Sequence, residues 1–174
     1  RTWDIVTQGM NVEADGMSAI QRLFPVRARL INEGLDLATH YAWNSFRNLQ
    51  LLKNPTAAVT PVHQLIQNFL GVPAVLPEHT AAIEKVLLDI FGALLDPSLR
   101  HVKSKRFVVG RVHEDSEFVF AFAVPADPLK KIYLANKFFF PKLDHYRNYM
   151  TDVAFPISAH ARASTLTHEL SHIA

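Results

Sequence analysis

At 174 residues the chain is long enough for one domain with a substantial core. Its 49% hydrophobic and 20% charged content excludes a disordered polyelectrolyte, and a formal charge of +2 is too small to mark a nucleic-acid or membrane-surface binder. There are no cysteines, which excludes disulfides and thiolate metal sites, and no apolar run reaches the ~18–20 residues of a membrane-spanning helix.

The cysteine-free composition suits a reducing compartment or a bacterial protein. The chain opens on Arg1 rather than Met, which reads as a fragment or a processed product. Residues 1–16 carry little pattern, and Asp15-Gly16 reads as a turn before a helix. From there Ile20, Leu23, Phe24, Leu30, Ile31, Leu35, Ala38, Tyr41, Ala42, Phe46 and Leu49 fall at helical spacing. They predict one long or broken helix over about 18–53. Pro25 starts or kinks it, Gly34 weakens its middle, and Asn54-Pro55 ends it. Tyr41, Trp43 and Phe46 read as core.

Thr60-Pro61 predicts an N-cap and first turn for a short amphipathic helix with Val62, Leu65, Ile66, Phe69 and Leu70. Pro77 opens another, whose stripe of Ile83, Val86, Leu87, Ile90, Phe91, Leu94 and Leu95 ends at Asp96-Pro97. These stripes are short and amphipathic, so they predict packed helices rather than membrane insertion. His63 and His79 fall at helix edges, where surface or capping roles are expected.

The pattern then changes to period two. Residues 106–112 and 117–124 predict strands, the second with Phe118, Phe120 and Phe122 on one side and Val119, Ala121 and Ala123 on the other. A hairpin-like connector at 113–116 predicts that these two pair antiparallel. Residues 131–139 give a third strand, taken as the edge of a three-stranded sheet. Residues 142–157 read as a loop anchored by Tyr146, Tyr149 and Phe155, and Ser158 as the cap of a last helix. The expected class is α+β: a mostly helical N-terminal part, a small three-stranded sheet, then the final helix.

That helix carries the chemistry. His168 and His172 are four residues apart, which sets both imidazoles one turn apart on one helix face, and Glu169 follows the first. His-Glu-x-x-His is the zincin pattern: two neutral imidazoles hold Zn²⁺, and the glutamate serves as general base toward a water at the metal. Random placement of the chain's His and Glu gives roughly 0.02 such matches. Leu166, Leu170 and Ile173 make the helix amphipathic, so His168 and His172 are expected to border its buried face.

The run 131–140, Lys-Ile-Tyr-Leu-Ala-Asn-Lys-Phe-Phe-Phe, followed by Thr165-Leu166-Thr167-His168-Glu169-Leu170-Ser171-His172, resembles the deuterolysin-like zinc peptidases. These are the aspzincins and the lysine-specific metallo-endopeptidases related to them, with similar domains in bacterial effectors and toxins. The resemblance covers residues 18–174 in order of elements and 131–172 in residues. It implies a single zincin-like metallopeptidase domain over 1–174, with Zn²⁺ as cofactor, His168 and His172 as ligands and Glu169 as base. It also implies a protein or peptide substrate that pairs with a sheet edge. In that family the third ligand is an aspartate after the motif helix. The chain ends at Ala174, so the expectation is a domain cut after this helix, with Asp144, His145, Asp152 and His160 as upstream alternatives. His160 lies about 80° off the ligand face at ~100° per residue.

Two functions follow. One is a zinc endopeptidase, in a bacterial cytoplasm or a secreted effector or toxin. The other is an incomplete zincin serving as a protein-binding, toxin or effector module. Neither predicts nucleic acid or membrane insertion. An inhibitor or immunity partner leaves no sequence signal.

Overall fold

A computed structural model of the chain describes residues 9–53, 60–112, 119–141 and 157–173. The class is α+β, with a four-stranded mixed sheet in place of the expected three strands.

The first strand, β1 (Met10–Asp15), was hidden in a stretch without sequence pattern. Its register shifts between Val12 and Ala14, so a bulge at Glu13 breaks the alternation that would have marked it. Gly16, at φ 84°, then turns the chain into α1 (Met17–Leu23), while its N–H donates to the Phe107 carbonyl at 2.8 Å. The expected long helix is broken at Phe24, and α2 (Pro25–Leu51) starts with proline at its first position. The end predicted at Asn54-Pro55 lies outside the described residues.

Next come α3 (Thr60–Leu70), α4 (Pro77–Leu95) and the one-turn α5 (Pro97–Arg100). Thr60 is inside α3 rather than its cap. His79 does cap: its Nδ1 accepts the Leu76 N–H at 3.2 Å. Trp43 departs from its predicted core role. It is 44% exposed and stacks on Phe46 and Phe91 at the surface.

The sheet is completed by β2 (Phe107–Val112), β3 (Ala121–Ala123) and β4 (Ile132–Leu134), in the order β1-β2-β4-β3. The expected antiparallel pairing of the second and third strands is not found. Instead β2 pairs antiparallel with β1 and parallel with β4, while β3 pairs antiparallel with β4. The predicted edge is therefore the interior. Ile132, Tyr133 and Leu134 are all fully buried, and an apolar run without polar alternation belongs between two neighbours with both faces covered. The strand predicted to 139 stops at Leu134. The one-turn α6 (Asn136–Phe139) follows and drives Phe138 and Phe139 into the core. The connector 113–116, Glu117, Phe118 and the anchors Tyr146, Tyr149 and Phe155 lie outside the described residues.

The last helix, α7 (Ile157–Ile173), contains Ser158 rather than being capped by it. Ala163, Leu166, Leu170 and Ile173 of α7 join Ile31, Leu35, Ala38 and Ala42 of α2 and Ile90 and Leu94 of α4 in one core. Gly34 permits the close crossing: a Cβ there would meet Leu166 Cδ1 at 2.9 Å. One sheet face, with Phe107, Val109, Ile132 and Leu134, closes this core. On the other face Met10, Val108, Tyr133 and Ala135 form a smaller cluster, where Phe122 stacks on Tyr133 at 4.8 Å between ring centroids. Packing on α2 and on β3 is what fixes α7 in place.

Candidate metal and catalytic site

The three motif residues occupy two different faces of α7. Glu169 is 5% exposed, whereas His168 and His172 are exposed rather than bordering the buried face. The phase of the helix explains this. Leu166, Leu170 and Ile173 turn inward to α2 and Glu169 turns toward the sheet, which leaves the histidines on the open side.

The imidazoles converge there. His168 Nε2 and His172 Nε2 are 3.2 Å apart and the rings meet edge to face at 4.7 Å between centroids. Two nitrogens on one tetrahedral Zn²⁺, each at ~2.0–2.1 Å, stand about 3.3 Å from one another. The separation of the pair therefore matches that of two ligand positions on one zinc ion. The helix hydroxyls do not compete for them. Thr165 and Thr167 donate to the Ala161 and Ala163 carbonyls, and Ser171 donates to the His168 carbonyl.

Glu169 faces β3 across the groove that Ala121 also lines. Burial pushes its carboxyl above the ordinary glutamate range. The neighbouring His168 and His172 and the Ala123 amide pull the other way without cancelling that effect. A carboxylate raised in this way holds a transferred proton more readily at neutral pH.

An open groove of ≈ 480 Å³ runs between the two elements, lined by Val119, Phe120 and Ala121 on one side and Ser164, Thr165, His168 and Glu169 on the other. The strand at this groove is β3. It bonds only to β4, so its outer edge is unpaired among the described residues. Sequence reasoning chose the wrong strand as the edge, and nothing in the Ala121-Phe122-Ala123 pattern distinguishes an edge from an interior strand.

Of the upstream ligand candidates, Asp144, His145 and Asp152 lie outside the described residues. His160 points elsewhere: its Nδ1 is hydrogen-bonded to the Tyr41 hydroxyl of α2, and the two rings stack at 5.8 Å. Among the described residues no group of three or more His, Asp or Glu comes together to hold a metal. None of the described helices is long and apolar enough to cross a membrane.

No family model, curated protein or solved structure matches the chain.

Proposed function

We propose that the chain is a zinc-dependent endopeptidase domain in which His168 and His172 hold the metal and Glu169 is the general base. The observation that carries this reading is the 3.2 Å convergence of the two Nε2 atoms beside a buried carboxylate at an open groove. The resemblance of 131–172 to the deuterolysin-like peptidases, with their bacterial effector and toxin relatives, points the same way.

When bound, zinc supplies a Lewis acid that polarises the scissile carbonyl and acidifies water. The rest falls to the chain. His168 and His172 bind through Nε2, as neutral imidazoles. Glu169 accepts the proton of the attacking water at its carboxylate and returns it to the leaving amine. The outer edge of β3 offers backbone N–H and C=O groups to an extended peptide laid along the groove. The third protein ligand that catalytic zinc sites use comes from outside the described residues.

A second reading, an incomplete zincin that binds a partner protein, draws on α3. That helix has no charged residue, and its apolar stripe leaves Leu65 69% and Phe69 81% exposed. Metal analysis separates the two readings. Mass spectrometry of the purified chain under native conditions should find one zinc, lost in His168→Ala. A chain that takes up no zinc at micromolar metal, and cleaves no unfolded protein substrate with zinc added, sinks the peptidase reading for this chain.

A further inference from the structure

The groove beside the motif is lined by more than the groups that do the proposed chemistry. Its strand side is Val119, Phe120 and Ala121, all apolar. On its helix side, His168 and Glu169 leave Ser164 and Thr165. The Thr165 hydroxyl donates to the Ala161 carbonyl at 2.8 Å, so what this residue adds to the groove is chiefly apolar. Ser164 is exposed and adds a small neutral hydroxyl. Apart from the motif residues, no charged side chain is among the described residues that line the groove. Glu169 is almost fully buried, so its charge is not offered to a substrate side chain.

The spacing along α7 sets where these residues meet a peptide. Ser164 and His168 are four residues apart, so they share a helix face and stand about 6 Å apart along the axis. An extended peptide spans that distance in about two residues. A charged side chain laid there would give up its water without gaining a partner, whereas an apolar one would cover Val119, Phe120 and Ala121.

We propose that Val119, Phe120, Ala121, Ser164 and Thr165 form a specificity subsite for an uncharged, apolar side chain of the peptide substrate, within two residues of the scissile bond. This rests on reading the groove as the path of the peptide. At ≈ 480 Å³ the groove is roomy, so charge rather than size does the selecting.

The first test is cleavage of a mixed peptide library by the zinc-loaded full chain, with the cut sites read by mass spectrometry. Leu, Ile, Val or Phe should be favoured at least ten-fold over Asp, Glu, Lys and Arg at one position within two residues of the cut. Ser164→Asp changes an exposed side chain and should raise Lys and Arg at that position at least ten-fold relative to Leu. A charged residue favoured there by wild type, or a Ser164→Asp profile identical to wild type, overturns the proposal. The second test needs no activity. In an NMR titration, N-acetyl-leucine amide should shift the backbone amides of residues 119–121 and 164–165. N-acetyl-lysine amide should shift them only in Ser164→Asp. Equal response to the two probes in wild type, or response to neither, overturns the proposal. A chain that cuts no peptide yet keeps the difference between the probes loses the peptidase reading and keeps the subsite.

Discussion

Gly34 of α2 and Leu166 of α7 touch so closely that a Cβ on the glycine would stand 2.9 Å from Leu166 Cδ1. Alanine at 34 gains about 1 kcal/mol of helix propensity. Against this, Leu166 is fully buried, and overpacking a core contact costs about 1–3 kcal/mol. The expected result for Gly34→Ala is a net loss of about 1 kcal/mol, and a larger loss for Gly34→Val. Urea denaturation with unchanged m-value would check it. A stabilised Gly34→Ala protein would mean that Leu166 relaxes without cost.

The second prediction concerns the motif. Glu169→Gln should keep the fold and most of the zinc affinity while losing peptide hydrolysis by a factor of at least ~10², the lower end of the usual general-base contribution. His168→Ala should lose zinc and activity together. Metal titration and a peptide-cleavage assay on both variants check this. Appreciable turnover by zinc-loaded Glu169→Gln would remove the base assignment.

The third concerns acid. Burial raises the Glu13 carboxyl, but hydrogen bonds from Arg27 and Arg111, both at 2.6 Å, outweigh it and hold the group below the ordinary glutamate range. A depressed folded pKa contributes stability above the unfolded value of 4.5 and loses it as pH falls through the folded value. Wild type should therefore lose part of its stability below about pH 4.5, and Glu13→Gln should flatten that part of the profile. At neutral pH the substitution should cost about 1–2 kcal/mol. Most of that comes from Arg27, since Arg111 is largely exposed. Thermal melts from pH 3 to 7 would show both effects.

The fourth concerns base. Burial, together with the charges of Asp127 and Asp15, pushes the Tyr133 phenol up to about 12 from an ordinary 10.0. A raised folded pKa contributes stability below the unfolded value and loses it as pH rises from 10 toward 12. In an ultraviolet titration one of the four tyrosines should ionise late, and Tyr133→Phe should remove that late step. A wild-type titration with no late component would contradict this environment.

The helices were legible because their information is local. The stripes of α2 and α4, the break near Pro25 and the turn at Gly16 follow from spacing and backbone sterics. Strand order was not, because partner choice depends on residues far apart in the chain. The run Ile132-Tyr133-Leu134 did carry the signal for an interior strand, and the short connector before β3 outweighed it. In β1 the bulge at Glu13 erased the alternation. At the site, the spacing of His168, Glu169 and His172 was sufficient to place the two imidazoles together, and the helical phase of His160 to set it apart. The wall opposite them is Val119, Phe120 and Ala121, a stretch that reads in sequence only as strand and carries no signature of a binding site.

The order β1-β2-β4-β3 also mixes pairings of very different reach along the chain. Met10 pairs with Val112, so α1 to α5 all lie inside the loop that this pairing closes. Closing so long a loop is entropically costly, and its contacts reward the chain late. The wall of the groove hangs at the far end of that sequence: β3 rests on β4, β4 on β2, and β2 on β1. The β3–β4 pairing is local in sequence, whereas the β1–β2 pairing at the other end of the sheet is not, so the groove wall leans on the most distant contact among these strands.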